Sequence, residues 1–392
     1  DSLLKRFADY IIPQSHIDAA WLWRWPETVD VCRSTFTQAL DIMDKVPTYT
    51  FTQSAAQYYL WMQEKYPEIF KRIKQRVKEG RWGVVGGMWV ESDLNMPNGE
   101  ALVRQFLYGK RYFLSSLGVD VKVGWSPDTF GHSLQLPQIL KKSGIDYYFH
   151  YRCSRGPLYW WEGIDGSRVL VRTGEGGLNE MKNRYDLNCN MYLIGPGDHG
   201  GGATLKDVEE IVERSKSLVT PKMVFTTPET FYKQAEKEGK DIPVVKEELN
   251  FEFEGCYTSQ AKQKYNNRKS EYAMLNTELL STIANYFGIP YPKKDIEENW
   301  HLVLFNQFHD LLPGSGIHAI YEDAQKQYNE VFAFTRRAIN SALSSIAGKI
   351  STQREGIPLV VFNSLSWERT DIAIGEVLAP GGTKNIEIFD FQ

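Results

Sequence analysis

Short apolar runs alternate with amphipathic helical stretches over the first 250 residues, and this alternation limits the fold more than any other feature of the chain. Short apolar runs predict strands at Tyr10–Ile12, Tyr49–Phe51, Trp82–Val85, Lys122–Trp125, Asp146–Phe149, Val169–Arg172 and Met223–Phe225. Helical periodicity predicts helices from Glu27 to about Val46 and over Glu68–Lys78, Gly99–Leu117, Leu134–Lys142 and Lys206–Lys216. Such alternation implies a mostly parallel sheet with helical crossovers. Ligands of these folds gather at the carboxyl ends of the strands. The residues just after each strand are therefore the ones that could carry chemistry.

Near residue 250 the pattern changes to long helical stretches, Ser259–Tyr286, Asp295–Leu311 and Ile317–Ile346, broken at Gly288-Ile289-Pro290 and Pro313-Gly314-Ser315-Gly316. Long helices with short connections predict an antiparallel bundle of three. Beyond it, Pro358–Asn363 and Asp371–Glu376 read as strands, followed by Pro380-Gly381-Gly382. A lone strand pair is marginal, so this segment reads as the start of a β-rich domain that is incomplete here. The expected organisation is an α/β domain at 1–250, a three-helix bundle at 251–350 and the beginning of a C-terminal β-domain at 351–392.

The chain has 392 residues, enough for two or three domains with real cores. Its 45 basic and 49 acidic residues leave a net charge of −4 without long runs of either sign. That balance argues against a nucleic-acid partner, which needs a basic face. No apolar stretch approaches the roughly 18–20 residues that cross a bilayer, so no membrane partner is expected. The start, Asp1-Ser2-Leu3-Leu4-Lys5-Arg6, lacks Met and a secretion-signal pattern and reads as a processing boundary. Four well-separated cysteines (Cys32, Cys153, Cys189, Cys256) fit reduced, packed thiols and a cytoplasmic setting better than a disulfide framework.

Four segments could do chemistry. His16-Ile17-Asp18 follows the first strand, and in extended chain its imidazole and carboxylate share a side. They could converge on a divalent metal; a packed His beside a helix-capping Asp fits the same residues. The aromatic run Trp21-Leu22-Trp23-Arg24-Trp25 suits stacking on sugar faces and equally a buried core. Pro127 and Gly131 frame Asp128 in a sharp turn after a strand, where it is either a crevice carboxylate or a turn former. His309 is expected late in the second bundle helix, where it either completes a metal site or answers the helix dipole. Gly195-Pro196-Gly197-Asp198-His199-Gly200-Gly201-Gly202 lacks the G-K-[ST] of a phosphate loop, and presents Asp198 either to a ligand or simply on a flexible loop.

Taken in order, seven blocks resemble family 38 of the glycoside hydrolases, the class II α-mannosidases. They are His16-Ile17-Asp18 with Trp21, Gly86-Gly87-Met88-Trp89-Val90-Glu91, Pro127-Asp128-Thr129-Phe130-Gly131-His132-Ser133, Trp161-Glu162-Gly163-Ile164-Asp165-Gly166, Gly197-Asp198-His199-Gly200-Gly201-Gly202, Tyr257-Thr258-Ser259-Gln260 and Asn306-Gln307-Phe308-His309-Asp310. The glycine loop and the Tyr257 block are similar to the bacterial or cytosolic branch. Val360–Trp367 resembles the family's entry into its C-terminal β-region, most of which lies beyond this chain.

The resemblance implies an α/β catalytic domain, then the three-helix bundle and β-sandwich domains. It implies one Zn²⁺ per chain held by His16, Asp18, Asp128 and His309, a donor set that suits zinc. The implied reaction is retaining hydrolysis of α-mannosides of N-glycan or free-oligosaccharide type, with Asp128 as nucleophile and Asp198 as general acid/base. Trp21 and Phe130 would line the sugar subsite. Glu91 and Asp93 are substrate-binding candidates, and Asp310, beside a ligand, is a supporting or substrate-binding carboxylate. Two other readings stand beside this one: a metal-dependent carbohydrate deacetylase, whose metal activates water directly, and a non-catalytic carbohydrate-binding fragment. Homo-oligomerisation is left open.

Overall fold

The computed structural model describes residues 3–250, 252–352, 356–378, 381 and 387–388. Its elements run β1 (Ala8–Pro13), α1 (Trp25–Lys45), β2 (Phe51–Gln53), α2 (Ala56–Lys65), α3 (Pro67–Lys78), β3 (Trp82–Val84), α4 (Gly99–Leu117), β4 (Val123–Trp125), α5 (Leu136–Lys142), β5 (Tyr147–His150), β6 (Leu158–Glu162) and β7 (Arg168–Thr173). There follow α6 (Leu178–Tyr185), β8 (Cys189–Ile194), α7 (Leu205–Lys216), β9 (Lys222–Phe225), α8 (Pro228–Glu238), β10 (Val244–Val245), α9 (Ala261–Tyr286), α10 (Lys293–Phe305) and α11 (His318–Ala347).

β1 runs parallel between β8 and β9, with Ala8 opposite both Cys189 and Lys222. A second sheet has the order β10-β6-β7-β5-β4, in which only β6 and β7 are antiparallel. β2 and β3 form a parallel pair. A bridge from Gln14 to Thr52 and a hydrogen bond from Gly86 N to Val123 O (2.8 Å) stitch the three sheets together. This is the mostly parallel α/β arrangement that the alternation predicts. β5, buried at all four residues, lies between β4 and β7 in that sheet.

Local chemistry explains many of the boundaries. Asn98 caps α4 by accepting from Ala101 N (2.7 Å), and Gly118 ends the helix in the left-handed region (φ 73°). Thr204 and Asp207 form a reciprocal capping box at the start of α7. Three strands (β6, β8, β10) and three helices (α2, α6, α8) were not anticipated. α2 buries Tyr58, Tyr59, Trp61 and Met62 around much of its circumference, so it lacks the one-sided stripe that betrays a surface helix. β10 has only two residues.

One buried cation and two buried imidazoles tie this region together. Arg172 on β7 is 1% exposed and donates to Pro157 O (3.2 Å), Gly176 O (3.2 Å) and Asn190 Oδ1 (2.9 Å), joining the second sheet to β8. His132 and His150 are fully buried, with ring centres 4.6 Å apart. Burial, before any other cause, pushes His150 down to about 4 and His132 well below the usual imidazole range. The unfolded chain binds these two protons near pH 6.5 while the folded chain refuses them. Stability is therefore complete above pH 6.5 and should fall as the pH drops towards 4, by about 1.4 kcal/mol per pH unit for each imidazole. Urea unfolding at pH 7, 6 and 5 measures that slope. His150→Gln, which keeps hydrogen-bonding capacity towards Tyr159 and Arg152, should remove one imidazole's share; an unchanged slope would count against this account.

The three long helices follow as expected, with α9 and α11 joined through Asn266 Nδ2 to Gln325 Oε1 (3.0 Å). One boundary differs and matters: α10 stops at Phe305, so His309 is not on a helix. Asp93 N takes Gln307 O (2.8 Å), His309 N takes Glu91 O (3.2 Å), and Ser92 bridges Phe308. Pairing with the 91–93 segment replaces the helical hydrogen bonds there.

The chain divides into two compact units, Asp1–Leu275 with Pro292–Arg336, and Asn276–Tyr291 with Arg337–Gln392. The smaller has a core of Leu280, Ala284 and Ala342, flanked by Ile339, Leu343 and Ile346. The strands expected at Pro358–Asn363 and Asp371–Glu376 are not formed: residues 356–378 carry no strand, and Ile372, Ile374 and Leu378 are at least 85% exposed. An extended segment becomes a strand only against a partner. In the expected break at Pro380-Gly381-Gly382, Pro380 and Gly382 lie outside the described residues. Among the described residues no helix is long and apolar enough to cross a membrane. All four cysteines are free, Cys32 and Cys189 buried, Cys153 and Cys256 half-buried.

Candidate metal centre and its carboxylates

The site assembles where the parallel strands end. His16 and Asp18 follow β1, Glu91 lies beyond β3, Asp128 follows β4, Arg152 follows β5, and the loop with Asp198 follows β8. The turn carrying Asp128 is possible only with glycine at 131. There φ is 142°, and a Cβ would sit 2.0 Å from Asn250 Oδ1. Tyr257 donates to Phe130 O (3.0 Å) and accepts from Asn95 Nδ2 (2.6 Å), bracing the same turn.

One ligand atom from each of His16, Asp18, Asp128 and His309 lies within 4.8 Å of the other three. His16 Nε2 is 2.9 Å from Asp18 Oδ1, and His309 Nε2 is 3.4 Å from Asp18 Oδ1 and 3.7 Å from Asp128 Oδ2. These short approaches lack hydrogen-bond alignment: His16 Nε2, His309 Nε2 and Asp18 Oδ1 are all buried without a hydrogen-bond partner. Buried polar atoms are rarely left so. Atoms that face one point rather than each other are what a cation requires, and two imidazoles with two carboxylates are a fitting donor set. The carboxylates hold both imidazoles above their usual range against the effect of burial, and His16 in turn holds Asp18 well below its own.

His309 is oriented from behind, its Nδ1 2.8 Å from Glu91 O. His16 Nδ1 lies 3.1 Å from Glu91 Oε2, an ion-pair approach without hydrogen-bond alignment. A proton held on Nδ1 leaves Nε2 free for a metal. Glu91, 3% exposed, also accepts from Ser54 Oγ, so its carboxylate is engaged behind His16. Asp93 is fully buried and closes its own turn, accepting from Asn95 N (3.0 Å) and Met96 N (2.7 Å). Asp310 Oδ2 lies 3.8 Å from His309 Nε2 while Oδ1 accepts from Ser315 Oγ; burial pushes this carboxyl up to about 7. Phe130 packs edge-on against His309 at 5.9 Å. Trp21 is half-buried, 5.9 Å edge-on from Trp23, and its carbonyl accepts from Ile317 N (2.9 Å).

Asp198 is the most exposed member. It stands in left-handed backbone (φ 64°), and its carbonyl accepts from Asp18 N (2.8 Å). Partial burial first, then the charges of Asp18 and Asp128, raise its carboxyl; His16 and Arg152 oppose them. Asp128 and Asp198 are thus carboxylates in unlike settings. One lies among cationic groups; the other is biased towards holding its proton.

Arg152 escaped sequence reasoning. Its Nε donates to Asp128 Oδ1 (2.7 Å), its Nη1 reaches Glu252 Oε1 (3.1 Å), and the guanidinium lies over Phe253 (4.5 Å) and Phe130 (5.4 Å). The only available signal was its position two residues after a strand.

Comparison with known proteins places the chain among relatives. Residues 7–174 match the glycosyl hydrolases family 38 N-terminal domain, and residues 252–346 match the alpha mannosidase middle domain. Alpha-mannosidase G of Dictyostelium discoideum is 37% identical over 87% of this chain and 33% of its own length. Alpha-mannosidase 2C1 of Homo sapiens is 34% identical over 95% of this chain and 38% of its own. The chain therefore spans about a third of the curated relatives it matches. The crystal structure of an alpha-mannosidase from Enterococcus faecalis shares the fold, with a TM-score of 0.79 and 18% identity over 88% of this chain and 43% of that one.

Proposed function

Since the chain belongs to glycosyl hydrolase family 38, we propose that the protein is a retaining, zinc-dependent α-mannosidase that releases mannose from the non-reducing end of α-mannosides, of N-glycan or free-oligosaccharide type. The observation that carries this reading is the convergence of His16, Asp18, Asp128 and His309 on one point, with a second carboxylate of raised proton affinity, Asp198, on the adjoining loop.

His16, Asp18, Asp128 and His309 would hold the ion. When bound, zinc supplies a Lewis-acid grip for neighbouring sugar hydroxyls. Asp128 attacks C1 of the mannosyl residue and forms an ester while the glycosidic C–O bond breaks. Asp198 gives its proton to the departing oxygen. It then takes a proton from the water that cleaves the ester, freeing mannose and Asp128. Arg152 fixes the Asp128 carboxylate through Oδ1. Phe130 and Trp21 are the apolar surfaces proposed for the sugar, and Asp310 supports His309. Asp93 remains a proposed substrate-side carboxylate, with one buried oxygen unpartnered.

An activated 2-fluoro-α-mannoside tests the covalent step. Fluorine slows both steps, while a good leaving group lets the first proceed, so the ester should accumulate with one sugar on the peptide containing Asp128. Absence of label, together with acetate release from an N-acetylated glycan, would replace this reading with a metal-dependent deacetylase.

A further inference from the structure

The loop bearing Asp198 is held in an unusual backbone conformation. Gly195, Gly200, Gly201 and Gly202 all have positive φ, and Asp198 itself stands in left-handed backbone that side chains enter only at a cost. Among the described residues no side-chain hydrogen bond acts on the Asp198 carboxyl; burial and neighbouring charges do. Its placement therefore comes from whatever holds the backbone on either side.

His199 does much of that holding. Its backbone bridges Ile17, between the two ligands that follow β1, and its N–H closes a tight turn to Gly197 O (2.8 Å). The side chain leaves the loop and meets two residues from another part of the chain. Nε2 lies 2.9 Å from Glu27 Oε1 on the first turn of α1, and the ring stands edge-on to Trp23 at 4.3 Å. Trp23 is in turn anchored, its Nε1 donating to Thr28 Oγ1 (3.0 Å), a hydroxyl that also reaches Asp18 O (3.1 Å) and Ala19 O (2.9 Å). On the other flank Gly201 N donates to Thr35 Oγ1 on α1 (2.9 Å).

We infer that His199 is a positioning residue for Asp198: clamped between the Glu27 carboxylate and the Trp23 ring, it ties the glycine-rich loop to α1 and sets where the acid/base carboxyl stands. This rests on the reading of Asp198 as acid/base given above. His199 touches no reacting atom. Its effect should appear only where proton delivery limits the rate.

The test compares kcat/KM for a 2,4-dinitrophenyl α-mannoside, whose leaving group needs no proton, with that for a phenyl α-mannoside, whose leaving group does. In the full chain, His199→Ala should lose about three- to fivefold on the phenyl substrate and less than about 1.5-fold on the dinitrophenyl one, the scale of one lost contact between half-exposed side chains. Glu27→Ala should reproduce the pattern, and it covers the case in which His199→Ala fails to fold. The double variant should be no worse than either single one, and His199→Gln, which can still donate to Glu27, should restore most of the loss. Equal losses on both substrates, or none, would overturn the inference. Asp198→Ala is the reference. If it discriminates between the substrates and His199→Ala does not, the clamp fails while the acid/base reading stands; if Asp198→Ala does not discriminate, both fall.

Discussion

Asp128→Ala is expected to abolish mannose release from aryl α-mannosides, lowering kcat/KM on the order of 10⁴-fold or more, the scale of losing a covalent nucleophile. Folding should survive. Asp128 lies in the turn after β4 with its side chain 27% exposed, and Arg152 keeps Glu252 as a partner once the carboxylate is gone. Measured with zinc in excess, so that the ligand lost with Asp128 does not leave the site empty, the variant also separates mechanisms. With the carboxylate replaced by a methyl group, added azide can enter the vacated space and displace an activated leaving group, giving a mannosyl azide of inverted configuration. Steady-state rates and the anomeric configuration of that product are the measurements. A variant with undiminished turnover would remove Asp128 from the role of nucleophile, and the retaining mechanism with it.

His309→Gln is expected to have the second large effect, on metal content. Even the outer partners of a metal ligand are worth 10–100-fold in affinity, so losing one of four ligands should weaken binding by at least about 100-fold. The substitution is close in size and leaves an amide able to reach Glu91 O. Because the ion binds only the folded site, zinc at 1,000 times its dissociation constant stabilises by about 4 kcal/mol. Chelation should therefore lower the unfolding midpoint of the parent protein, added zinc should restore it, and His309→Gln should respond to either by no more than about a third as much. Elemental analysis and thermal unfolding with and without chelator provide the check. Stoichiometric zinc retained by His309→Gln would place the ion elsewhere.

These two residues also show how far one-dimensional reasoning reaches. The pairing of His16 with Asp18 was legible because two positions in extended chain share a side, and Asp128 because Pro127 and Gly131 advertise a turn after a strand. The α/β class and the helical region were legible because short apolar runs and the 3.6 period are written locally. His309 was identified but put in the wrong local structure. The helical pattern continues past Phe305, yet pairing of 307–309 with 91–93 outweighs it, and that partner lies more than 200 residues away. Arg152 and the engagement of Glu91 behind His16 were beyond reach for the same reason. Each is defined by a contact between loops that follow different strands.

By itself, then, the chain's local pattern determined the α/β class and most of the strands and helices, and its ordered blocks pointed to the family. Only the tertiary structure decided that an imidazole after α10 meets residues after β1 and β4, that Arg152 holds Asp128, and that His199 reaches Glu27. The reason is physical. Local patterns record how each segment hides its apolar side chains, whereas the meeting of distant side chains depends on the order in which parallel strands lie side by side, which no local pattern records.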